Sequence, residues 1–117
     1  GPIDSSRAFC YVSDIIDGIE AISHHNSSGV YNIGNPVSNN IQDILFMLSE
    51  ISGIELQIDE AENEHIGSVT DRVPDISKII GLGFSPKINF LKGLTKTYDW
   101  YLKNYHLYEE EKTNKYL

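Results

Sequence analysis

The sequence predicts a mixed α/β domain: a small, incomplete sheet of about three short strands with four helices. Three observations predict it. Short β-prone runs alternate with segments of helical periodicity. Capping residues and glycines stand where those segments begin and end. The chain has 117 residues, 40% of them apolar, enough for one domain with a modest core.

Residues 9–12, Phe-Cys-Tyr-Val, are β-prone and short. Ser13 stands where a helix cap belongs and Asp14 in the first turn; Ile15, Ile16, Ile19 and Ile22 follow at helical spacing. The polar run from His24 to Gly29 ends that helix. Val30-Tyr31-Asn32-Ile33 reads as a buried strand, closed by the turn Gly34-Asn35-Pro36. Asn39 or Asn40 caps a second helix with Ile41, Ile44, Leu45, Leu48 and Ile51 on one face, and Gly53 stops it. Ile54, Leu56 and Ile58 alternate with polar residues, the pattern of a half-buried strand. From Asp59 to Asp71 the chain is polar and aperiodic, a long loop of the kind that is functional or disordered. Its acidic residues Asp59, Glu60, Glu62 and Glu64 repel one another, so it is expected to order around a ligand. Pro74-Asp75 opens a short helix through Ile80, broken by Gly81 and Gly83. Asn89 caps the last helix, whose stripe is Leu91, Leu94, Tyr98, Tyr101, Leu102 and Tyr105. Residues 1–6 read as a lead-in and 106–117 as a tail that frays from Tyr108.

The net charge of −8 argues against nucleic acid and anionic membranes as partners, since both require clustered cations. One local arginine site can still hold a single anionic ligand. No run approaches the ~18 apolar residues of a membrane span. With one cysteine, Cys10, no internal disulfide forms and a reducing compartment, the cytoplasm, is expected.

Several residues that suggest chemistry have plainer roles. His24 and His25 diverge by about 100° on a helix and have no third ligand nearby, so no metal is expected. Cys10 lacks a Cys-x-x-Cys partner and reads as a packed strand thiol. Asp75, following a proline at a helix start, reads as a cap. The tyrosines from Tyr98 to Tyr108 are spaced as a helical stripe, a core or partner surface.

Arginine is the exception. A guanidinium is a rigid fork of donors suited to a diphosphate and charged at any working pH. Arg7 opens Arg-Ala-Phe-Cys-Tyr-Val-Ser-Asp just before a predicted strand, and Arg72 lies in Gly-Ser-Val-Thr-Asp-Arg-Val-Pro-Asp-Ile-Ser-Lys. The first resembles the Arg-Asp-Phe-x-Tyr-Val-Asp-Asp of the extended short-chain dehydrogenase/reductases, NAD-dependent enzymes that epimerise, dehydrate or decarboxylate nucleotide sugars. With Ala8 it is similar to the UDP-glucuronate decarboxylases; UDP-glucose 4-epimerases are the other near relatives. The second resembles the family's Gly-Asp-Val-x-x-Arg-x-Pro-Asp-Ile-Ser-Lys. Val30-Tyr31-Asn32-Ile33-Gly34-Asn35-Pro36, Leu82-Gly83-Phe84-Ser85-Pro86-Lys87, Leu91-x-x-Gly-Leu and Trp100 extend the likeness in order, from about Arg7 to about Asn104.

The resemblance implies that the chain is the C-terminal substrate-binding part of such an enzyme. Arg7 would bind the diphosphate of a UDP-sugar, and Arg72 would close over ribose and phosphates. Phe9 would flank the nucleotide. Ser68 replaces the family's aspartate and can bond a hydroxyl, and His65 replaces an arginine and can face a phosphate when protonated. Ile41 occupies a position that can touch the base, although core packing is the plainer reading. NAD would sit in an N-terminal Rossmann domain. Its glycine-rich turn and catalytic Tyr-x-x-x-Lys are read as absent, so the chain alone is expected to be inactive and to bind no cofactor. Its partners would be the nucleotide sugar and that missing domain, with self-association of the isolated fragment allowed. The alternative is a freestanding, non-catalytic binding or assembly module with the tyrosine stripe and acidic tail as its working surface.

Overall fold

The computed structural model describes residues 5–26, 28–57 and 71–114, with side chains through residue 107. The order is β1 (Ser6–Ala8), α1 (Val12–His24), β2 (Ser38–Asn40), α2 (Ile41–Ser52), β3 (Asp71–Arg72), α3 (Ser77–Ile80) and α4 (Phe90–Asn114). The expected mixed α/β class, with three short strands and four helices among the described residues, is what forms. The sheet order is β2-β1-β3, with β1 antiparallel to β2 and parallel to β3.

The helices follow their local signals. The Asn40 side chain accepts from Gln42 N (2.8 Å) and caps α2, and Gly53 ends it at φ 67°, a left-handed conformation that favours glycine. The Asn89 side chain accepts from Lys92 N (2.9 Å) at the start of α4. Asp75, expected as the cap of α3, stands one residue ahead of the cap position, which is Ile76; its side chain accepts from Ser77 N (2.9 Å), and that bond holds its carboxyl below the usual range. The cap of α1 is displaced as well. α1 begins at Val12, capped by Tyr11, whose carbonyl accepts from Asp14 N and Ile15 N; Ser13 lies inside the helix. α4 runs on to Asn114, past the point where fraying is expected. It is kinked at Asn104, whose Nδ2 donates to the Trp100 carbonyl (2.8 Å).

The strands lie elsewhere than expected. The strand ends at Ala8 and 9–11 lie outside the sheet; the Phe9 ring packs on Phe90 and Tyr11 becomes a helix cap. Residues 30–33 have no strand beside them among the described residues, and Val30 is 84% exposed. Other partners hold this segment: Lys78 Nζ donates to Val30 O (2.7 Å) and sits over the Tyr31 ring (4.2 Å), and Asn32 Nδ2 donates to Asp75 O (3.1 Å). Residues 54–57 form no strand either, because Ile54 bonds back to α2 through Ser49 Oγ (2.7 Å) and Ser52 Oγ (3.2 Å). The expected loop from Asp59 to Asp71 falls outside the described residues except for Asp71, which is in β3.

The core lies where α1 meets α3. Ile76, Ile79 and Phe84 are buried there, with Ala21, Ile22, Tyr31 and Ile33 packed around them. Gly18 lets Ile33 approach: a Cβ on it would stand 2.5 Å from Ile33 Cγ2. Asp14, 2% exposed, accepts from Ile88 N (3.0 Å) and ties α1 to the segment before α4. On the other face of α1, Val12, Ile16 and Ile19 are each more than half exposed. Among the described residues no helix is long and apolar enough to cross a membrane.

Candidate functional site

The register of the sheet brings the two arginines of the sequence reading together. Arg7, at the centre of β1, is the direct partner of Arg72 across the parallel pair and of Asn39 across the antiparallel one. Residues paired across strands share a face of the sheet, and neighbouring strands lie about 4.8 Å apart. One face therefore carries the row Asn39, Arg7, Arg72. Arg7 is half-buried and one of its N–H groups donates to Ser6 O (2.7 Å); Arg72 is exposed. Arg7 thus sits within a strand, not ahead of one, and Arg72 is in a strand as well.

Like charges directly opposite one another weaken a sheet. An anion placed between two arginines in register turns that repulsion into attraction. A diphosphate matches the charge and the fork geometry of two guanidinium groups.

Where β1 and β3 end side by side, a cavity of about 460 Å3 opens, bordered by Ala8, Cys10, Ile33, Asn35, Arg72 and Pro74. Ligands of open α/β sheets bind at the carboxyl ends of the strands, and this cavity has that placement. Two local contacts shape its walls. The Asn35 side chain accepts from Val37 N (3.0 Å) and holds the 34–37 turn. Gly34 lies so close to Pro74 that a Cβ would stand 2.9 Å from the ring. A second cavity of about 440 Å3 lies among Phe9, Tyr11, Ile44, Phe90 and Leu94. It is lined mostly by apolar side chains, together with Asn89 and Thr97, and touches neither arginine, whereas the first borders Arg72 and not Arg7.

The other predicted site residues are dispersed. The Phe9 ring stands 5.5 Å from Phe90, tilted by 52°, beside the apolar cavity. Ile41, the first residue of α2, is half-buried. His65 and Ser68 lie outside the described residues. Cys10 borders both cavities, and its thiol is pushed up, first by burial and then by the Asp14 carboxylate. Among the described residues there is no group of three or more His, Cys, Asp or Glu that could hold a metal. One sequence expectation needs correction: Tyr108 and Lys112 do have the Tyr-x-x-x-Lys spacing, near the C-terminal end of α4. The match is one of spacing, and the chain has no Gly-x-Gly-x-x-Gly to accompany it. Sequence reasoning missed Asn39 as a neighbour of Arg7. Ser-Asn-Asn has little β-propensity, and nothing local marks residues 38–40 as a strand.

No protein-family model matches the chain. UDP-glucuronic acid decarboxylase 3 of Arabidopsis thaliana is 35% identical over 94 residues, which cover 80% of this chain and 27% of that protein. GDP-L-fucose synthase 1 of the same plant is 30% identical over 99 residues, covering 84% and 30%. Among solved structures, the UDP-glucuronic acid 4-epimerase of Bacillus cereus, in complex with NAD, superposes with a TM-score of 0.77 at 29% identity, covering 90% of this chain and 34% of that one. The chain thus spans about a third or less of the length of the proteins it matches.

Proposed function

The chain belongs to the extended short-chain dehydrogenase/reductase family, matching its C-terminal part, and from this premise we propose that it is the substrate-binding part of an NAD-dependent nucleotide-sugar epimerase, dehydratase or decarboxylase. The observation that carries the proposal is the pairing of Arg7 with Arg72 in register across the parallel strands. The two guanidinium groups grip the diphosphate of a nucleotide sugar, and a fixed diphosphate fixes the sugar for chemistry done elsewhere in the polypeptide. Ser68 and His65 close on ribose and phosphate from the 59–71 segment, and Phe9 flanks the nucleotide. The first relative's activity on a UDP-sugar favours UDP as the nucleotide.

The residues present do not fit NAD. The nine glycines include no Gly-x-Gly-x-x-Gly, and the cavity that borders an arginine is lined by Asn35 and Pro74. We therefore place the cofactor in a Rossmann domain of the same polypeptide. The exposed stripe of Val12, Ile16 and Ile19 and the chain's share of its relatives' length support a further domain. The isolated 117-residue chain is expected neither to bind NAD nor to turn over a nucleotide sugar; calorimetry and a coupled hydride assay check this, and measurable turnover would defeat it.

The direct test is Arg7→Ala in the full-length enzyme. UDP-sugar binding should weaken by roughly 2–4 kcal/mol through lost charge-assisted hydrogen bonds, with NAD affinity unchanged. Normal UDP binding by the variant would make Arg7 a structural residue and end the proposal.

A further inference from the structure

We infer that Asn39 is a third binding residue of the same site, one that takes a hydroxyl-bearing ring next to the diphosphate. The inference rests on the proposed role of the arginines and adds a specificity element to it.

Its basis is the register. Asn39 is paired directly with Arg7, on the side away from Arg72. Ser5 O accepts from Ile41 N (3.0 Å), two residues along the same ladder. Antiparallel pairs alternate, so Arg7 and Asn39 form a hydrogen-bonded pair with their side chains projecting from one face. The row runs cation, cation, amide in steps of about 4.8 Å. A diphosphate spans the two cations. The next step along the row falls beyond the phosphates, on whatever ring they carry. An amide presents both a donor and an acceptor, which suits a sugar hydroxyl and suits a bare phosphate oxygen less well than another guanidinium would. Asn39 is half-buried. The neighbouring Asn40, on the opposite face by alternation, already caps α2, so the capping role does not explain Asn39. The ring is either the ribose or the sugar; both offer vicinal hydroxyls, and the experiment separates them.

Inorganic pyrophosphate, UDP and UDP-glucuronate are titrated into the 117-residue chain at millimolar concentration, with amide shifts read by NMR for the native chain, Asn39→Ala, Asn39→Asp and Arg7→Ala. Asn39→Ala should leave pyrophosphate affinity within about twofold and weaken UDP-glucuronate about tenfold, the size of one lost hydrogen bond. If UDP weakens equally, the ring is the ribose; if UDP is unaffected, it is the sugar. Native amide dispersion retained in each variant guards against a folding artefact, and Asn39→Asp is isosteric. Its carboxylate competes for Arg7 and should weaken all three ligands. Unchanged binding of all three by Asn39→Ala would overturn the inference, as would an equal loss for pyrophosphate, which would place Asn39 on the phosphates. Arg7→Ala reports on the proposed function separately: if pyrophosphate binding survives it, the diphosphate reading fails whatever Asn39 does. If the native chain binds none of the three ligands, both fail.

Discussion

Where α1 meets α3, Ile79 is fully buried, Gly18 admits Ile33 and Asp14 hydrogen-bonds Ile88 N. In the sheet, the central strand holds a half-buried arginine between Asn39 and an exposed arginine. The first region satisfies each buried group and fills its space. The second puts like charges side by side and buries no apolar side chain. The first is arranged for stability; the second is where we propose that a ligand binds. Substitutions in the two regions should therefore separate: those in the first should move the unfolding midpoint, and those in the second should move affinity.

The largest expected effect on stability is at Asp14. Asp14→Ala removes the acceptor of Ile88 N and should cost about 2–3 kcal/mol in urea denaturation, the penalty of an unsatisfied buried donor plus the lost bond. The folded fraction should still bind UDP, and a loss of UDP affinity as large as the loss of stability would break the comparison. Gly18→Ala comes next. Alanine favours a helix over glycine by about 1 kcal/mol, but its Cβ would meet Ile33 and overpacking costs about 1–3 kcal/mol. A net loss of about 0–2 kcal/mol is expected, and a clear gain in stability would show that Ile33 moves freely.

The smallest effects are those of pH. Asp75 has a lowered pKa because its carboxylate accepts from Ser77 N. Its contribution is present above the ordinary carboxylate pKa and is lost as pH falls through the lowered value; Asp75→Asn should flatten that acid limb of the stability profile. Lys87 has a raised pKa, from its hydrogen bond and attraction to Asp17 at 2.8 Å. Its contribution is complete below the ordinary lysine pKa and fades as pH rises through the raised one. Both groups are exposed to solvent, so both limbs should be shallow.

The sequence made the helices legible and the sheet hardly at all. Asn40, Gly53, Asp75 and Asn89 act within a few residues of themselves, so their roles can be read locally. A strand is defined by its partner. Residues 30–33 and 54–57 carry β-prone patterns yet are held by Lys78, Asp75 and the serines of α2. Ser38–Asn40, with little propensity, pairs because β1 lies beside it. The site shows the same division. Arg7 and Arg72 were found through family resemblance; that they are direct partners depends on a register that joins residues far apart in the chain. Asn39 could not be found without it.

The central claim is that Arg7 and Arg72 act on one diphosphate, and a double-mutant cycle on pyrophosphate affinity tests it most directly. Arg7→Ala, Arg72→Ala and the double variant are compared with the native chain, with unfolding midpoints measured alongside. Shared use of one ligand predicts a coupling of about 0.5–3 kcal/mol, with each single variant removing most of the binding. Additive losses, or a double variant that binds as tightly as the native chain, would show that the paired arginines do not form a diphosphate site.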